Sequence, residues 1–184
     1  MNPPKLICII GAECTGKTTL AAALATHYAS PWVPEYLRTF CDQHQRTPTP
    51  AEQHHILATQ LQFEDAALNR AQEQGQDFVF CDTAPLLTAV YSQFVFGDLE
   101  LYELARSAHQ RYALTLLMEP DIPWVADGLQ RDSPQVQPTI HQLLVQELRG
   151  SGAPTVSIRG AGEAREMLAR QAVEALELDA APSV

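Results

Sequence analysis

Leu6-Ile7-Cys8-Ile9-Ile10-Gly11-Ala12-Glu13-Cys14-Thr15-Gly16-Lys17-Thr18 is the stretch on which the fold turns. Its first five residues are an unbroken apolar run, as expected of a strand buried on both faces of a parallel sheet. Residues 11–18 then match G-x-x-x-x-G-K-[ST], the spacing of a phosphate-gripping loop. Gly11 and Gly16 permit backbone conformations in which successive N–H groups converge on phosphate oxygens. Lys17 offers a compact positive charge, and the Thr18 hydroxyl suits a Mg²⁺ ligand. A helix opening at Lys17 adds its N-terminal dipole to the same anion. A chance glycine turn is a poor account, because a strand enters the motif, a helix leaves it, and Lys17 is one of two lysines in the chain. ATP with Mg²⁺ is the expected cofactor pair. The expected contacts are Gly11, Ala12, Glu13, Cys14, Thr15, Gly16, Lys17, Thr18 and Thr19.

Outward from this loop, short β-like runs alternate with longer helical patterns, the sequence form of a parallel sheet covered by helices. The helix from Lys17 should run to Ala29, where Ser30-Pro31 breaks it. Trp32-Val33-Pro34 reads as a second strand and Glu35 to about Gln45 as a short helix. Thr49 and Pro50 read as N-cap and first position of a helix reaching about Gln74. Phe78–Cys81, Ala113–Met118 and Pro154–Ile158 supply three more strands. Helices are expected at Ala84–Phe96, from an Asp98 cap to Gln110, at Ile140–Leu148 and at Glu163–Leu178. Residues 119–135, rich in Pro, Asp and Gly, read as a functional loop or lid. One α/β domain spanning residues 1–184 is expected.

Composition narrows the partners. The 184 residues carry a formal charge of −10, a surface that repels nucleic acid and anionic membranes. No apolar run approaches the ~18 residues a membrane span needs. The N-terminal Met1-Asn2-Pro3-Pro4-Lys5 lacks the pattern of a signal peptide, so the expected location is cytoplasmic. Cys8, Cys14, Cys41 and Cys81 show no metal spacing and are expected as thiols.

In an open α/β sheet, ligands sit beyond the carboxyl ends of the strands. Asp82 follows the third strand, where a carboxylate can hold Mg²⁺ through its water shell or serve as a base; it could also cap the next helix. Glu35 follows the second strand and could accept a hydroxyl proton or hold sugar hydroxyls. Arg38 shares its helix face, for phosphate or for Glu35 itself. Asp127 and Arg131 fall in the loop after the fourth strand, where an arginine can neutralise charge developing on a transferred phosphoryl group. Tyr36 and Trp124 could sandwich a flat heterocycle or form the edge of the core. His54 and His55 are adjacent on one helix, point to different sides and make no metal pair.

Taken together, Gly11–Thr18, Val33-Pro34-Glu35-Tyr36 with Arg38, Cys81-Asp82-Thr83, Val90-Tyr91 with Phe96-Gly97, and Pro123-Trp124-Val125-Ala126-Asp127-Gly128 resemble the ribosylnicotinamide (nicotinamide riboside) kinase family. That family includes the kinase half of a bifunctional bacterial NAD-salvage protein. The resemblance spans residues 5–150 and implies a nucleoside-kinase-like P-loop fold with sheet order 2-3-1-4-5. It implies a riboside acceptor phosphorylated to nicotinamide mononucleotide. Lys17, Asp82, Glu35 and Arg131 would be catalytic, Thr18 and Asp82 would hold metal, and Glu35, Tyr36, Arg38, Asp82, Trp124 and Asp127 would meet substrate. No adenylyltransferase segment precedes the first strand in this sequence, so the kinase step alone is implied. Where relatives place a second lid arginine, this chain offers Gln135 or Gln137. Another nucleoside, nucleotide or small-metabolite acceptor remains open, as does an ATP-binding regulatory module without kinase activity.

Overall fold

The computed structural model describes residues 3–124 and 135–178. Strands β1 (Lys5–Ile10), β2 (Trp32–Val33), β3 (Phe78–Asp82), β4 (Tyr112–Met118) and β5 (Thr155–Ile158) form one parallel sheet in the order β2-β3-β1-β4-β5. The helices are α1 (Lys17–His27), α2 (Tyr36–His44), α3 (Gln53–Glu73), α4 (Pro85–Phe96), α5 (Leu101–His109), α6 (Val136–Ser151) and α7 (Glu163–Leu178). The expected order of strands and helices is the observed one.

The central strand explains the layering. Side chains alternate across a strand, and here both faces are covered. Ile7 and Ile9 join Leu20 and Leu24 of α1 and Val173 of α7 on one side. Leu6, Cys8 and Ile10 join Leu57, Leu86, Val90 and Ile140, from α3, α4 and α6, on the other. Every residue from Leu6 to Ile10 is buried. Three layers result, with all five strands ending along one edge of the sheet.

Several boundaries differ from expectation, and the differences matter at the site. Asp82 closes β3, paired in register with Ile9, and helix α4 begins only at Pro85 after an extended Ala84. The carboxylate is therefore a strand-end group and does not cap that helix. Glu35 is extended and α2 starts after it, at Tyr36. The first turn after Thr49 is a 3₁₀ turn, Pro50–Glu52, held by a Thr49–Glu52 capping box, with α3 starting at Gln53. Asp98 accepts the Glu100 N–H at 2.9 Å and α5 starts at Leu101. Helix α6 starts four residues earlier than expected, at Val136. Pro138 is tolerated there because N–H groups of a first turn have no intrahelical acceptor. The four cysteines form no disulfide.

Candidate active site

The glycine-rich loop bends between β1 and α1 as the sequence requires. A Cβ on Gly11 would lie 2.8 Å from Met118 Cβ and 2.9 Å from Thr15 Oγ1, so only glycine fits beside the end of β4. Gly16 has φ +81°, the left-handed region, and sets the first turn of α1. The Thr15 hydroxyl donates to Ala12 O at 2.8 Å. The Lys17 ammonium donates to the same carbonyl at 2.9 Å, lying across the mouth of the loop.

Thr18, the second residue of α1, meets the carboxylate at the end of β3. Thr18 Oγ1 donates to Asp82 Oδ2 at 2.6 Å, while Asp82 Oδ1 is buried with no hydrogen-bond partner. Burial raises the Asp82 pKa from its ordinary value, against the pull of Lys17, the Thr18 hydroxyl and Arg38. Glu35 is also raised, mainly by desolvation, with Asp82 adding to the rise and Lys17 and Arg38 opposing it. Both carboxyl groups thus share the field of the same two cations. A hard, oxygen-seeking ion fits the pair formed by the Thr18 hydroxyl and the orphaned Asp82 oxygen. Among the described residues no cluster of three His, Cys, Asp or Glu could cage a metal. Mg²⁺ rarely needs such a cage, since phosphates and water complete its shell.

Lys17, Thr18, Glu35 and Arg38 line a cavity of about 520 Å³, to which Asp82 is joined through its hydrogen bond with Thr18. Its floor is the loop from Glu13 to Thr19, and Glu35, Leu37, Arg38 and Cys41 form the α2 side. Leu87, Thr88, Tyr91, Val95 and Phe96 of α4 form the opposite, mainly apolar side, and Thr47, Pro48 and Gln53 close the α2–α3 corner. Glu13 is held from the α4 side. Its Oε2 accepts the Tyr91 hydroxyl, whose pKa is raised by burial and by that acid.

Many residues singled out from the sequence therefore line one cavity, but Gly11, Ala12 and Asp82 are not among the lining, and others lie elsewhere. Tyr36 does not line it; its ring packs edge-on against His55 and Phe63, and its hydroxyl meets His55 Nε2 at 3.2 Å. Trp124 is half-buried, with an unpartnered indole N–H, and is not among the cavity-lining residues. Asp127 and Arg131 lie outside the described residues, as does most of the stretch read as a lid. Gln137 is buried and donates to Glu13 O at 2.8 Å, so it braces the phosphate loop.

One residue was missed altogether. Arg165, in the first turn of α7, is buried and donates to Thr15 O, to Glu119 O at 3.1 Å and to Asp121 Oδ1. Asp121 Oδ2 in turn accepts Gly160 N–H at 2.7 Å. This staple ties the phosphate loop to the ends of β4 and β5. A cation in a helix's first turn opposes the dipole, and that was the signal available in the sequence.

A glycine-cradled loop after the central strand of a 2-3-1-4-5 parallel sheet, with a hydroxyl–carboxylate pair beside it, defines a P-loop protein. The chain belongs to the AAA domain family, whose profile matches residues 6–165. It is homologous to the trifunctional NAD biosynthesis/regulator protein NadR of Salmonella typhimurium, 28% identical over 162 residues. That match covers 85% of this chain and 38% of NadR, so the chain spans well under half of that relative. A structure of NadR in complex with NR superposes with a TM-score of 0.79 at 23% identity, covering 95% of this chain and 50% of the other. A second, of NadR with NAD and AMP-PNP, gives 0.78 at 23% identity, covering 99% and 51%. Thymidylate kinase from Ehrlichia chaffeensis gives 0.67 at 13% identity, covering 95% and 100%. The fold and the family resemblance read from the sequence are thus borne out. No helix among the described residues is long and apolar enough to cross a membrane.

Proposed function

We propose that this protein is an ATP-dependent kinase that phosphorylates the 5′-hydroxyl of nicotinamide riboside. The observation that carries the proposal is the cavity that brings the phosphate loop, with Thr18 bonded to Asp82, together with Glu35 and an apolar wall on α4. Phosphoryl transfer asks little covalent chemistry of a protein; positioning and charge stabilisation do most of the work. Lys17 leaves Ala12 O for the β- and γ-phosphates, and the loop amides hold the rest of the triphosphate. Thr18 and Asp82 would hold Mg²⁺, which neutralises charge between the phosphates. Where Asp82 does not ligate the metal, its unpartnered Oδ1 is instead the acceptor for the proton of the attacking hydroxyl. Glu35 holds the ribose hydroxyls, and Arg38, near both carboxyl groups, balances their charge. The roles expected of Arg131 and Asp127 belong to this same proposal.

The NadR homology and the NadR complex with NR support a riboside acceptor. A panel of ribosides, nucleosides and nucleoside monophosphates incubated with γ-labelled ATP and Mg²⁺ tests it. Label should pass to nicotinamide riboside, and Lys17→Ala and Asp82→Asn should each lower turnover by at least about 100-fold while leaving the fold intact. An inert nicotinamide riboside beside another labelled acceptor overturns the substrate. ATP binding with no labelled acceptor points instead to a regulatory module.

A further inference from the structure

Gln53 is the first residue of α3 and is 6% exposed, yet it lines the cavity. Its side-chain amide makes no hydrogen bond to the described residues, and its polar atoms are not among the fully buried ones, so the amide is free to meet a ligand in the cavity. Its cavity neighbours Leu37, Cys41 and Pro48 are largely apolar. A polar group placed beside apolar lining is the usual arrangement for fixing a ligand's orientation.

Its distance from the phosphate end follows from the helix. Gln60 Oε1 accepts the Tyr36 N–H at 2.9 Å, which pins α3 to the start of α2, next to Glu35. Gln53 lies seven residues earlier on the same face, about 10 Å along the axis at ~1.5 Å per residue. A riboside with its 5′-hydroxyl near Asp82 and its sugar on Glu35 would therefore present its heterocycle towards Gln53. The amide is also preset. The Thr49–Glu52 capping box fixes the turn before it, and Arg46 clamps Glu52 through two hydrogen bonds of 2.8 Å.

We infer that Gln53 is the specificity-determining residue for the heterocycle, pairing its amide with a carboxamide of the acceptor through one donated and one accepted hydrogen bond. This assignment rests on the riboside-kinase reading above and deepens it. The Gln53 carbonyl accepts the carboxamide N–H, and the Gln53 NH₂ donates to the carboxamide oxygen. A 3-carboxylate in place of the carboxamide loses the first bond and sets two acceptors against each other, so the amide riboside is preferred.

The test compares kcat/KM for the pyridine-3-carboxamide riboside and its 3-carboxylate analogue in the protein, in Gln53→Leu and in Gln53→Glu. The protein should prefer the amide by at least about tenfold, the ratio that one hydrogen bond supplies. Gln53→Leu should bring the ratio close to one, with the ATP KM unchanged. Gln53→Glu should still accept the amide and reject the acid more strongly, and melting curves confirm that each variant is folded. An unchanged ratio in the folded variants overturns the assignment of Gln53 and leaves the kinase reading standing. Failure of the protein to phosphorylate either riboside removes both.

Discussion

Replacing Arg165 with alanine tests whether the phosphate loop is held from behind. The guanidinium joins Thr15 O, Glu119 O and Asp121 Oδ1, so its removal strands two backbone acceptors and one carboxylate. Thr15 is fully buried, and its carbonyl would be left unsatisfied. A hydrogen bond to a charged group contributes about 1.5–3 kcal/mol. The Asp121 side chain is 38% exposed and rehydrates, so that pair adds at most about 1 kcal/mol. Because these terms are not additive, a loss of about 3 kcal/mol is expected. For a chain of this size that corresponds to a fall in Tm of roughly 6–12 °C. The Thr15 peptide plane is also freed, so ATP affinity measured by calorimetry should drop about tenfold, or ~1.4 kcal/mol. Arg165→Lys should recover only part, because an ammonium cannot bridge three acceptors in a plane. Arg170, whose partner Glu166 lies one turn away on the same helix, is the control, and Arg170→Ala should cost under about 0.5 kcal/mol. If Arg165→Ala melts with the native protein and binds ATP normally, the staple does not support the loop.

Gly11→Ala forces a methyl into contact with Met118 and Thr15, so it should cost about 1–3 kcal/mol in chemical denaturation and weaken ATP binding; an unshifted midpoint would refute the steric reading. Glu64 is fully buried against Tyr112, whose hydroxyl donates to it at 2.7 Å, and burial lifts its pKa to about 7. A raised folded pKa means that stability is full below the ordinary carboxylate value and is lost as pH climbs towards 7. Glu64→Gln should therefore gain up to ~3 kcal/mol over the native protein at pH 8 and nothing near pH 4, and identical pH profiles would dismiss the argument.

The strands and the phosphate loop were legible because their signals are local: an apolar run of five, then glycines at fixed spacing. So was the grouping of Glu35 and Asp82, since strand ends in a parallel sheet share one edge. What escaped the sequence depends on tertiary distance. Arg165 sits 150 residues from the carbonyl it holds. Tyr36 follows Glu35 directly, yet the opening turn of α2 sends its ring towards His55 and Phe63 rather than into the cavity. Gln53 fell inside the helix read from Pro50 to about Gln74 and was not singled out. Nothing in its neighbours marks the cavity that α2, α3 and α4 create around it.

The electrostatics of the cavity carry a last consequence. Glu13 and Glu35 line it and Asp82 adjoins it through its hydrogen bond to Thr18, with Lys17 and Arg38 as the cations of the described lining, in a chain of net charge −10. A bare triphosphate would add charge to carboxyl groups whose pKa values burial has already raised. Binding ATP without a metal should then draw protons onto Asp82 and Glu35, because each proton relieves repulsion that the buried site cannot screen. With Mg²⁺ the same charge is offset at the Thr18–Asp82 pair and no proton need follow. Calorimetry at pH 7 in two buffers of different ionisation enthalpy separates the cases. Buffer-dependent heat is expected for ATP with a chelator, and nearly buffer-independent heat for ATP with Mg²⁺. Asp82→Asn should reduce the proton uptake. Equal proton uptake with and without the metal would show that the carboxyl groups do not respond to the phosphates, and that Asp82 is not where the cation's charge is felt.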